Sequence, residues 1–243
     1  MHAVAVYSPK GGVGKTTLAV NLAWCSAALS ARRTLLWDLD AQGAATFLLG
    51  SEQAAAGEAR AVLTRDAEAQ RSIRPTGIDR LDLLPADASL RGLDGLFAGL
   101  GKKRRLQRLL ESLAGRYDRI VLDCPPGLTE TTGQVIRGAS AMVVPVVPSP
   151  LSRRALDEIA RHLEQAGRGR PAMLPVFAMA DRRRTAHLAA LAEHPDWPVI
   201  PMASVVEQVA IRRRPLGAFA PAHPAARAVA GVWTAIERRL TAA

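Results

Sequence analysis

Ten residues near the start of the chain have the composition of a phosphate-binding loop. The segment Ser8–Thr17 reads S-P-K-G-G-V-G-K-T-T and directly follows a short apolar run at 3–7. Glycines allow backbone N–H groups to turn toward a bound phosphate, a lysine neutralises the phosphate charge, and a hydroxyl can hold Mg²⁺. Gly14, Lys15 and Thr16 fit these roles. A glycine-rich turn with two surface lysines is the alternative.

The loop departs from the general G-x-x-x-x-G-K-[ST] pattern at its beginning. Pro9 stands where the first glycine is expected, and an additional lysine, Lys10, precedes Lys15 by five residues. On the entry side of the loop, the Lys10 ammonium cannot easily fold back onto phosphates that its own chain binds. We therefore expect Lys10 to reach a nucleotide held by a facing subunit.

Two further segments place carboxylates at the ends of apolar runs. In L-L-W-D-L-D-A-Q-G, Asp38 and Asp40 follow a strand-like run, and in R-I-V-L-D-C-P-P-G, Asp123 ends another. The carboxyl ends of parallel strands form the edge of an α/β sheet that holds ligands. Asp123 in this position is typical of a carboxylate that holds Mg²⁺ through water, with Thr16 as a direct ligand. Asp38 and Asp40 acting only as caps of a helix at 41–49 is the alternative.

In this order, the three segments resemble those of the ParA/MinD family of deviant Walker A ATPases. K-G-G-V-G-K-T-T is similar to the family's P-loop with its signature lysine, D-L-D-A-Q-G to its D-x-D-P-Q-G segment, and D-C-P-P to its Walker B end. Ala41 replaces the proline of the second segment. The resemblance implies ATP and Mg²⁺ as ligands and a homodimer that sandwiches two ATP molecules.

The resemblance also implies a role for each matching residue. Asp40 would orient the attacking water, Asp38 would help to organise the Mg²⁺ side, and Lys10 would bridge to the partner's phosphates. The implied catalytic residues are Lys10, Lys15 and Asp40; the metal residues are Thr16, Asp38 and Asp123; the nucleotide-binding residues are Gly11, Gly12, Val13, Gly14, Lys15, Thr16 and Thr17. By the same resemblance, Met179, Pro201 and Met202 would contact the base, with ordinary strand ends as the alternative.

The charge of the chain indicates an anionic partner. Lys and Arg number 32 against 22 Asp and Glu, which gives a net charge of +10. Arginines cluster at 104–105, 153–154, 182–184 and 212–214. Guanidinium clusters suit sequence-independent binding to a phosphate backbone, although solvated faces are the alternative. ParA-like proteins supply DNA-binding arginines from this C-terminal region, which implies as DNA contacts Arg182, Arg183, Arg184, Arg212, Arg213 and Arg214.

The elements that must position these residues alternate along the chain. Apolar runs predict strands near 3–8, 34–38, 81–85, 119–123, 141–146, 173–179 and 198–201. The stretches between them predict helices, most clearly at 15–30, 103–115, 153–166, 184–193, 204–211 and 224–240. This alternation indicates an α/β fold, a doubly wound, mostly parallel sheet with helices on both faces, in one domain over 1–243. The segment 51–74 shows little apolar periodicity and is interpreted as an excursion that covers the nucleotide or contacts partners.

Composition and the chain ends favour a cytoplasmic, nucleoid-associated protein. Two cysteines, Cys25 and Cys124, show no metal-ligand spacing, and the start of the chain lacks the pattern of a signal peptide. The P-loop strand begins at residue 3, which leaves no room for a preceding helix-turn-helix, so we expect DNA contact to be non-specific. The helix at 225–240 is expected to pack on the domain, with an amphipathic membrane-binding helix like that of MinD as the alternative.

The sequence therefore predicts an ATPase that dimerises with ATP, binds DNA non-specifically in that state, and hydrolyses ATP slowly until a ParB-like or other activating partner accelerates it. Plasmid or chromosome partition is the leading interpretation of its role. ParA-like positioning of a protein cluster and MinD-like positioning on a membrane are the alternatives. A cluster-holding redox ATPase and a tyrosine-kinase relative are disfavoured, because paired cysteines and a tyrosine-rich tail are missing from the sequence.

Overall fold

An eight-stranded sheet forms the framework of the computed structural model, which describes residues 1–52, 54–65, 68–100, 104–167 and 169–241. Its strands are β1 (His2–Val6), β2 (Thr34–Asp38), β3 (Arg74–Ile78), β4 (Leu81–Leu84), β5 (Arg119–Asp123), β6 (Ala141–Val146), β7 (Ala172–Ala180) and β8 (Val199–Pro201). Their order across the sheet is β3-β4-β2-β5-β1-β6-β7-β8. All neighbours are parallel except β3 and β4, which are antiparallel.

Helices connect these strands and cover both faces of the sheet. They are α1 (Lys15–Leu29), α2 (Ala44–Leu48), α3 (Glu58–Thr64), α4 (Glu68–Ser72), α5 (Leu93–Leu100), α6 (Arg105–Ser112), α7 (Glu130–Gly138), α8 (Pro150–Gln165), α9 (Thr185–Glu193), α10 (Gln208–Arg212), α11 (Leu216–Phe219) and α12 (Pro224–Thr241). Two short 3₁₀ turns lie at Ala88–Leu90 and Ser204–Val206. The doubly wound α/β fold predicted from the alternation is confirmed.

The four central strands are buried along their whole length apart from His2 at the start of β1, as expected of parallel strands covered on both faces. Alternate side chains along each strand enter opposite cores. Val4 and Leu36 belong to the core beneath α1 and α12, whereas Ala5 and Leu35 belong to the core beneath α6, α7 and α8. Burial of these aliphatic residues on two sides fixes the strand register, because a one-residue slip would exchange the two sets.

All seven predicted strands are present, but one strand was missed. β3 reads R-P-T-G-I and its side chains are only partly buried, so it has neither the apolar content nor the alternation that identified the others. The interpretation of 51–74 as an excursion is wrong for α3 and α4, because Ala59, Val62, Leu63 and Ala69 are buried in the core. The predicted helix at 204–211 is a 3₁₀ turn followed by α10. The helix predicted at 103–115 is α6, and residue 103 lies outside the described residues.

The C-terminal helix α12 packs on the domain, as predicted. Val229, Val232, Trp233 and Ile236 are buried, and the Trp233 indole N–H donates to Ser30 Oγ at 2.8 Å. In the described part of the chain, no helix is both long and apolar enough to span a membrane.

Candidate functional site: a nucleotide edge with a basic face

The carboxyl ends of β1, β2 and β5 meet at one edge of the sheet, where the candidate site lies. Asp123 is in register with Val6 on one side and with Asp38 on the other. Neighbouring strands lie about 4.8 Å apart, so this register sets the two aspartates side by side. The loop that follows β1 is the glycine-rich segment, which therefore begins next to both carboxylates.

The glycine-rich loop ends by starting a helix. Gly14 has φ +85° in the left-handed region that favours glycine, and α1 begins at the next residue, Lys15. The loop thus directs the N–H groups of the first helical turn toward whatever occupies it, which is the geometry of an anion site. Lys15 Nζ donates to the Lys10 carbonyl at 2.8 Å, so the ammonium lies across the opening of the loop.

Asp123 is the most exceptional polar residue of the edge. Its side chain is fully buried, and within the described residues neither carboxylate oxygen has a hydrogen-bond partner of ordinary geometry. Burial and the charge of Asp38 raise its pKa well above the usual value, whereas the Thr16 hydroxyl and Lys15 lower it. A buried carboxylate without partners normally serves a function, and a cation beside it would remove the cost.

These residues fit Mg²⁺. Mg²⁺ keeps several waters and uses one or two carboxylates together with substrate phosphates rather than a protein-only cage. In agreement, the described residues contain no group of three or more His, Cys, Asp or Glu that would hold a metal alone. The Thr16 hydroxyl and the Asp123 carboxylate are the groups that would hold the ion at this edge.

Asp38 is a structural anchor as well as a candidate metal residue. Its Oδ2 accepts from both the backbone N–H and the hydroxyl of Thr46 in α2, at 2.9 and 2.8 Å, and its Oδ1 accepts from the Asp40 N–H at 3.2 Å. Burial raises its pKa to about 6, although the Thr46 hydrogen bonds favour the charged form. The capping interpretation thus describes what Asp38 does to α2, which begins at Ala44 rather than at the predicted Ala41.

Asp40 is less buried than Asp38 and Asp123. Its Oδ1 accepts from the Gln42 N–H at 3.0 Å, which closes a tight turn before α2. Its charge acts on both Lys15 and Asp123, so it belongs to the same electrostatic cluster. Burial lowers the pKa of Lys15, and the charges of Asp123 and Asp40 oppose that effect. Lys15 and the carboxylates of Asp38, Asp40 and Asp123 therefore share this edge.

The three predicted base contacts line one cavity beside the loop. Met179, Pro201 and Met202 form its wall with Gly14 and Thr17, around a volume of about 150 Å³. Met179 has φ +54° and its Cε lies close to Gly14, whose own φ of +85° is what favours glycine there. The cavity is largely apolar, as expected for a surface that stacks on a purine.

Comparison with known proteins identifies the family. A model described as an AAA domain, AAA_31, matches residues 1–171. Chromosome partitioning protein ParA of Myxococcus xanthus (strain DK1622) is 33% identical over 168 residues, which is 68% of this chain. The chain belongs to the ParA/MinD family of ATPases.

Two further matches describe the extent of the likeness. Sporulation initiation inhibitor protein Soj of Bacillus subtilis (strain 168) is 39% identical over 145 residues, 59% of this chain. The chain spans less than two thirds of these relatives' own lengths, 57% of Soj and 59% of M. xanthus ParA. Among solved structures, septum site-determining protein MinD of Pyrococcus horikoshii OT3, complexed with Mg-ADP, has a TM-score of 0.78 at 23% identity and covers 97% of this chain and 95% of its own. This likeness shows a shared fold.

The first predicted DNA cluster of this ParA/MinD-family chain follows β7 at the same edge. Arg182, Arg183 and Arg184 are all exposed. Arg183 forms a two-pronged ion pair with Asp181, at 2.9 and 3.0 Å, and this pairing lowers the pKa of Asp181 to about 2. Arg183 is therefore partly neutralised, whereas Arg182 and Arg184 form no side-chain ion pair with the described residues.

The second cluster follows α10 and rests on aromatic rings. The Arg212 guanidinium lies 5.1 Å from the centre of the Phe219 ring, and that of Arg213 lies 4.2 Å from the centre of the Phe47 ring. Both side chains are exposed and are oriented by these cation–π contacts. Arg214 is exposed and has no side-chain ion pair within the described part of the chain.

The other two arginine clusters are not simple basic surfaces. Arg105 is buried and donates through Nε to the Leu63 carbonyl at 2.7 Å, so it supports the core next to α3. Arg153 pairs with Asp157 and Glu193 at 3.7 and 3.3 Å. Composition alone cannot separate such structural arginines from a binding face, because both have the same sequence signature.

Both cysteines are buried thiols. Cys25 lies in α1 against the core, and burial raises its pKa to about 12. Cys124 directly follows Asp123, and burial together with that neighbouring carboxylate raises its pKa well above the usual value. Thiols in such surroundings are poor nucleophiles.

Sequence reasoning missed two residues that support the site. Thr46 holds Asp38, as described above. Asn21 in α1 donates to the Thr17 carbonyl at 2.7 Å and accepts from the Leu216 N–H at 2.6 Å, which fixes the inner wall of the base cavity. A buried asparagine in an apolar helix was the available signal for Asn21, since such a residue needs hydrogen-bond partners.

We predict that Asp123→Asn stabilises the nucleotide-free protein. The folded pKa of Asp123 lies above its unfolded value, so the charged form is penalised in the fold. This penalty is complete above the folded pKa, decreases as the pH falls below it, and is gone only below the unfolded pKa. At pH 8 the substitution should raise Tm by roughly 2–4 °C, for about 1 kcal/mol of stabilisation, and the gain should shrink toward pH 5. Differential scanning calorimetry across this pH range measures the effect.

Asp181→Asn is the matched control, because Arg183 lowers the pKa of Asp181 rather than raising it. This control should show no gain in Tm at any pH between 5 and 8. An Asp123→Asn variant that melts at or below the parent Tm at pH 8 would show that the buried Asp123 carboxylate does not destabilise the fold.

Proposed function

We propose that this protein is a Mg²⁺-dependent ATPase that dimerises around ATP, binds DNA without sequence preference in that state, and releases DNA after hydrolysis. The observation that carries the ATPase part is the buried, unpartnered carboxylate of Asp123 beside Lys15 and Thr16 at the start of α1. The relatives named as chromosome partitioning proteins supply the context, segregation or positioning of a cargo.

The nucleotide would occupy the edge of the sheet between the glycine-rich loop and the base cavity. The N–H groups of the first turn of α1 and the ammonium of Lys15 would bind the phosphates. The apolar wall formed by Met179, Pro201 and Met202 would hold the base. Bound Mg²⁺ would neutralise charge on the phosphates, held by Thr16 directly and by Asp123 through water.

Lys10 and Asp40 would complete hydrolysis. Lys10 follows Pro9 on the entry side of the loop, and its carbonyl is already occupied by Lys15, so its side chain is the part left to face a second subunit. Asp40 lies at the mouth of the edge, where its outward carboxylate would orient a water for attack on the γ-phosphate. The chain's own contribution is therefore positioning and charge rather than covalent chemistry.

The basic face would bind DNA through phosphate contacts. Within the two predicted clusters, Arg182, Arg184 and Arg214 are exposed and form no side-chain ion pair with the described residues, so they are the cluster members most available to a phosphate backbone. A dimer would present two copies of this face, and two weak sites on one DNA molecule bind far more tightly than one. Nucleotide would thereby control DNA binding through the state of the dimer.

A gel-shift with non-specific duplex DNA tests the proposal. We predict that the parent chain binds with ATP and Mg²⁺ but not with ADP and Mg²⁺. The triple variant Arg182→Ala/Arg184→Ala/Arg214→Ala should lose at least about tenfold in affinity at 100 mM salt. Its affinity should also depend less steeply on salt, because a protein that makes fewer phosphate contacts releases fewer counterions when it binds.

The triple variant Arg227→Ala/Arg238→Ala/Arg239→Ala is the matched control. It removes the same charge from exposed positions of α12, outside the two clusters in the sequence. Equal losses of DNA affinity in the two triple variants would show that the arginine clusters contribute only through the total charge of the chain. Binding that ignores the nucleotide would contradict the proposed switch.

The proposed location is the cytoplasm, in association with the nucleoid, with a ParB-like or other protein that accelerates hydrolysis. The MinD-like alternative receives no support from α12, because the apolar residues that would enter a membrane are buried in the core. Activation is tested by adding candidate partner proteins to the ATPase assay in the presence of DNA.

A further inference from the structure

A single glycine joins the loop after Asp123 to the entrance of the phosphate-binding loop. The Gly127 N–H donates to the Pro9 carbonyl at 3.3 Å, and the Gly127 carbonyl accepts from the Tyr7 hydroxyl at 2.7 Å. The Thr132 hydroxyl at the start of α7 lies 3.0 Å from the same carbonyl and 3.3 Å from the Tyr7 hydroxyl. Gly127 is thus held through both of its backbone polar groups.

Tyr7 makes this connection rigid. It is the residue after β1, it is 1% exposed, and burial raises its pKa to about 12. The phenol therefore keeps its proton at every working pH and donates it to the Gly127 carbonyl. Thr132 Oγ1 accepts from the Thr129 N–H at 3.2 Å, so its own proton is free to reach Gly127 or Tyr7. Three hydroxyl and carbonyl groups share two protons in a buried network.

The two segments that Gly127 joins contain residues of the proposed ATPase site. Gly127 lies four residues after Asp123, and Pro9 directly precedes Lys10. Gly127 has φ +100°, and a Cβ there would lie 3.3 Å from Thr129 Cγ2, so the turn requires glycine and has little freedom to relax elsewhere. The position of this turn therefore determines where the backbone leaves Asp123 and where the phosphate-binding loop begins.

We propose that Tyr7 is a positioning residue that holds the loop after Asp123 against the phosphate-binding loop, and that its hydroxyl thereby sets both the Mg²⁺ requirement and the rate of hydrolysis. The proposal rests on the proposed ATPase function for its kinetic consequence. Tyr7 does not touch the reacting atoms; it acts through the Gly127 carbonyl.

The test is Tyr7→Phe, which removes only the hydroxyl. In the nucleotide-free protein, hydrogen–deuterium exchange of the peptide spanning 124–132 should become roughly three- to tenfold faster, the effect of losing one buried hydrogen bond. The Mg²⁺ concentration for half-maximal ATPase activity should rise and kcat should fall by similar factors. Binding of ADP without Mg²⁺ should remain at the parent value.

Matched variants separate positioning from stability. Tyr117→Phe removes the other tyrosine hydroxyl, which donates to Asp82 at 2.6 Å at the distant side of the sheet, and should change none of these readouts. Thr132→Val should reproduce part of the Tyr7→Phe effect, and Thr132→Ser should restore it. Parent values of exchange in Tyr7→Phe would overturn the proposal, and so would faster exchange with an unchanged Mg²⁺ requirement.

The outcome is distinguishable from a failure of the proposed function. A parent chain that hydrolyses no ATP would refute the ATPase proposal without deciding the role of Tyr7. In that case, exchange at 124–132 and the ratio of ADP affinities with and without Mg²⁺, measured by calorimetry, decide it. An unchanged ratio in Tyr7→Phe would then overturn the positioning role.

Discussion

Asp40→Ala is expected to bind ATP as tightly as the parent chain and to hydrolyse it at least about 100-fold more slowly. The carboxylate would orient the attacking water, and loss of such a group typically costs a factor of this size or more. Because the Asp40 carboxylate accepts, among the described residues, only a local turn hydrogen bond from the Gln42 N–H, its removal should leave the fold intact. The variant should consequently persist as an ATP-bound dimer on DNA, with a longer lifetime than the parent.

Single-turnover hydrolysis and DNA dissociation measured on the same preparation check this expectation. Asp79→Ala is the matched control, since Asp79 is an exposed aspartate in the turn between β3 and β4. The control should hydrolyse ATP at the parent rate. Parent-like hydrolysis by Asp40→Ala would show that its assigned role is wrong.

Lys15→Ala is expected to weaken ATP and ADP binding by roughly 100-fold, which corresponds to about 2.7 kcal/mol. Lys15 is the buried cation of the edge, and its ammonium lies across the mouth of the loop on the Lys10 carbonyl. Titration with a fluorescent ADP analogue measures the loss directly.

Lys10→Ala is the internal comparison for Lys15→Ala, because it removes the same charge from the same loop. It should bind nucleotide nearly as the parent does but fail to form the ATP dimer, which sedimentation velocity with ATP and Mg²⁺ would reveal. Equal losses of nucleotide affinity in the two variants would contradict the assignment of Lys10 to a facing subunit.

The sequence predicted the fold well wherever a strand is buried on both faces. Val4–Val6, Leu35–Trp37 and Ile120–Leu122 form continuous apolar runs that end in functional residues, so pattern and position agree. It did not predict β3, whose residues are half-exposed, or α3, whose buried residues Ala59, Val62 and Leu63 are too few to form a clear helical apolar pattern. Those elements form because they pack on the sheet, and local sequence carries little of that information.

The residues of the candidate nucleotide edge were chosen from the sequence because such chemistry needs fixed residue types at fixed spacing, and the structure brings them to one edge of the sheet. Their roles stay predictions. What the sequence could not supply were the hydrogen-bond partners of these residues. Thr46 and Thr132 are ordinary hydroxyl residues. Thr46 reaches Asp38 because α2 follows β2, and Thr132 in α7 reaches Tyr7 only through the tertiary packing. The same limit applies to the arginines, where Arg105 and Arg182 differ in burial and not in their sequence signature.

The burial of both cysteines has a practical consequence for work on this protein. Cys25 and Cys124 lie inside the domain as protonated thiols, so maleimide reagents should leave the folded chain unlabelled. A cysteine introduced at an exposed position would then be modified alone. The natural sequence is therefore already a background-free scaffold for a single fluorophore or spin label, without the removal of any native residue.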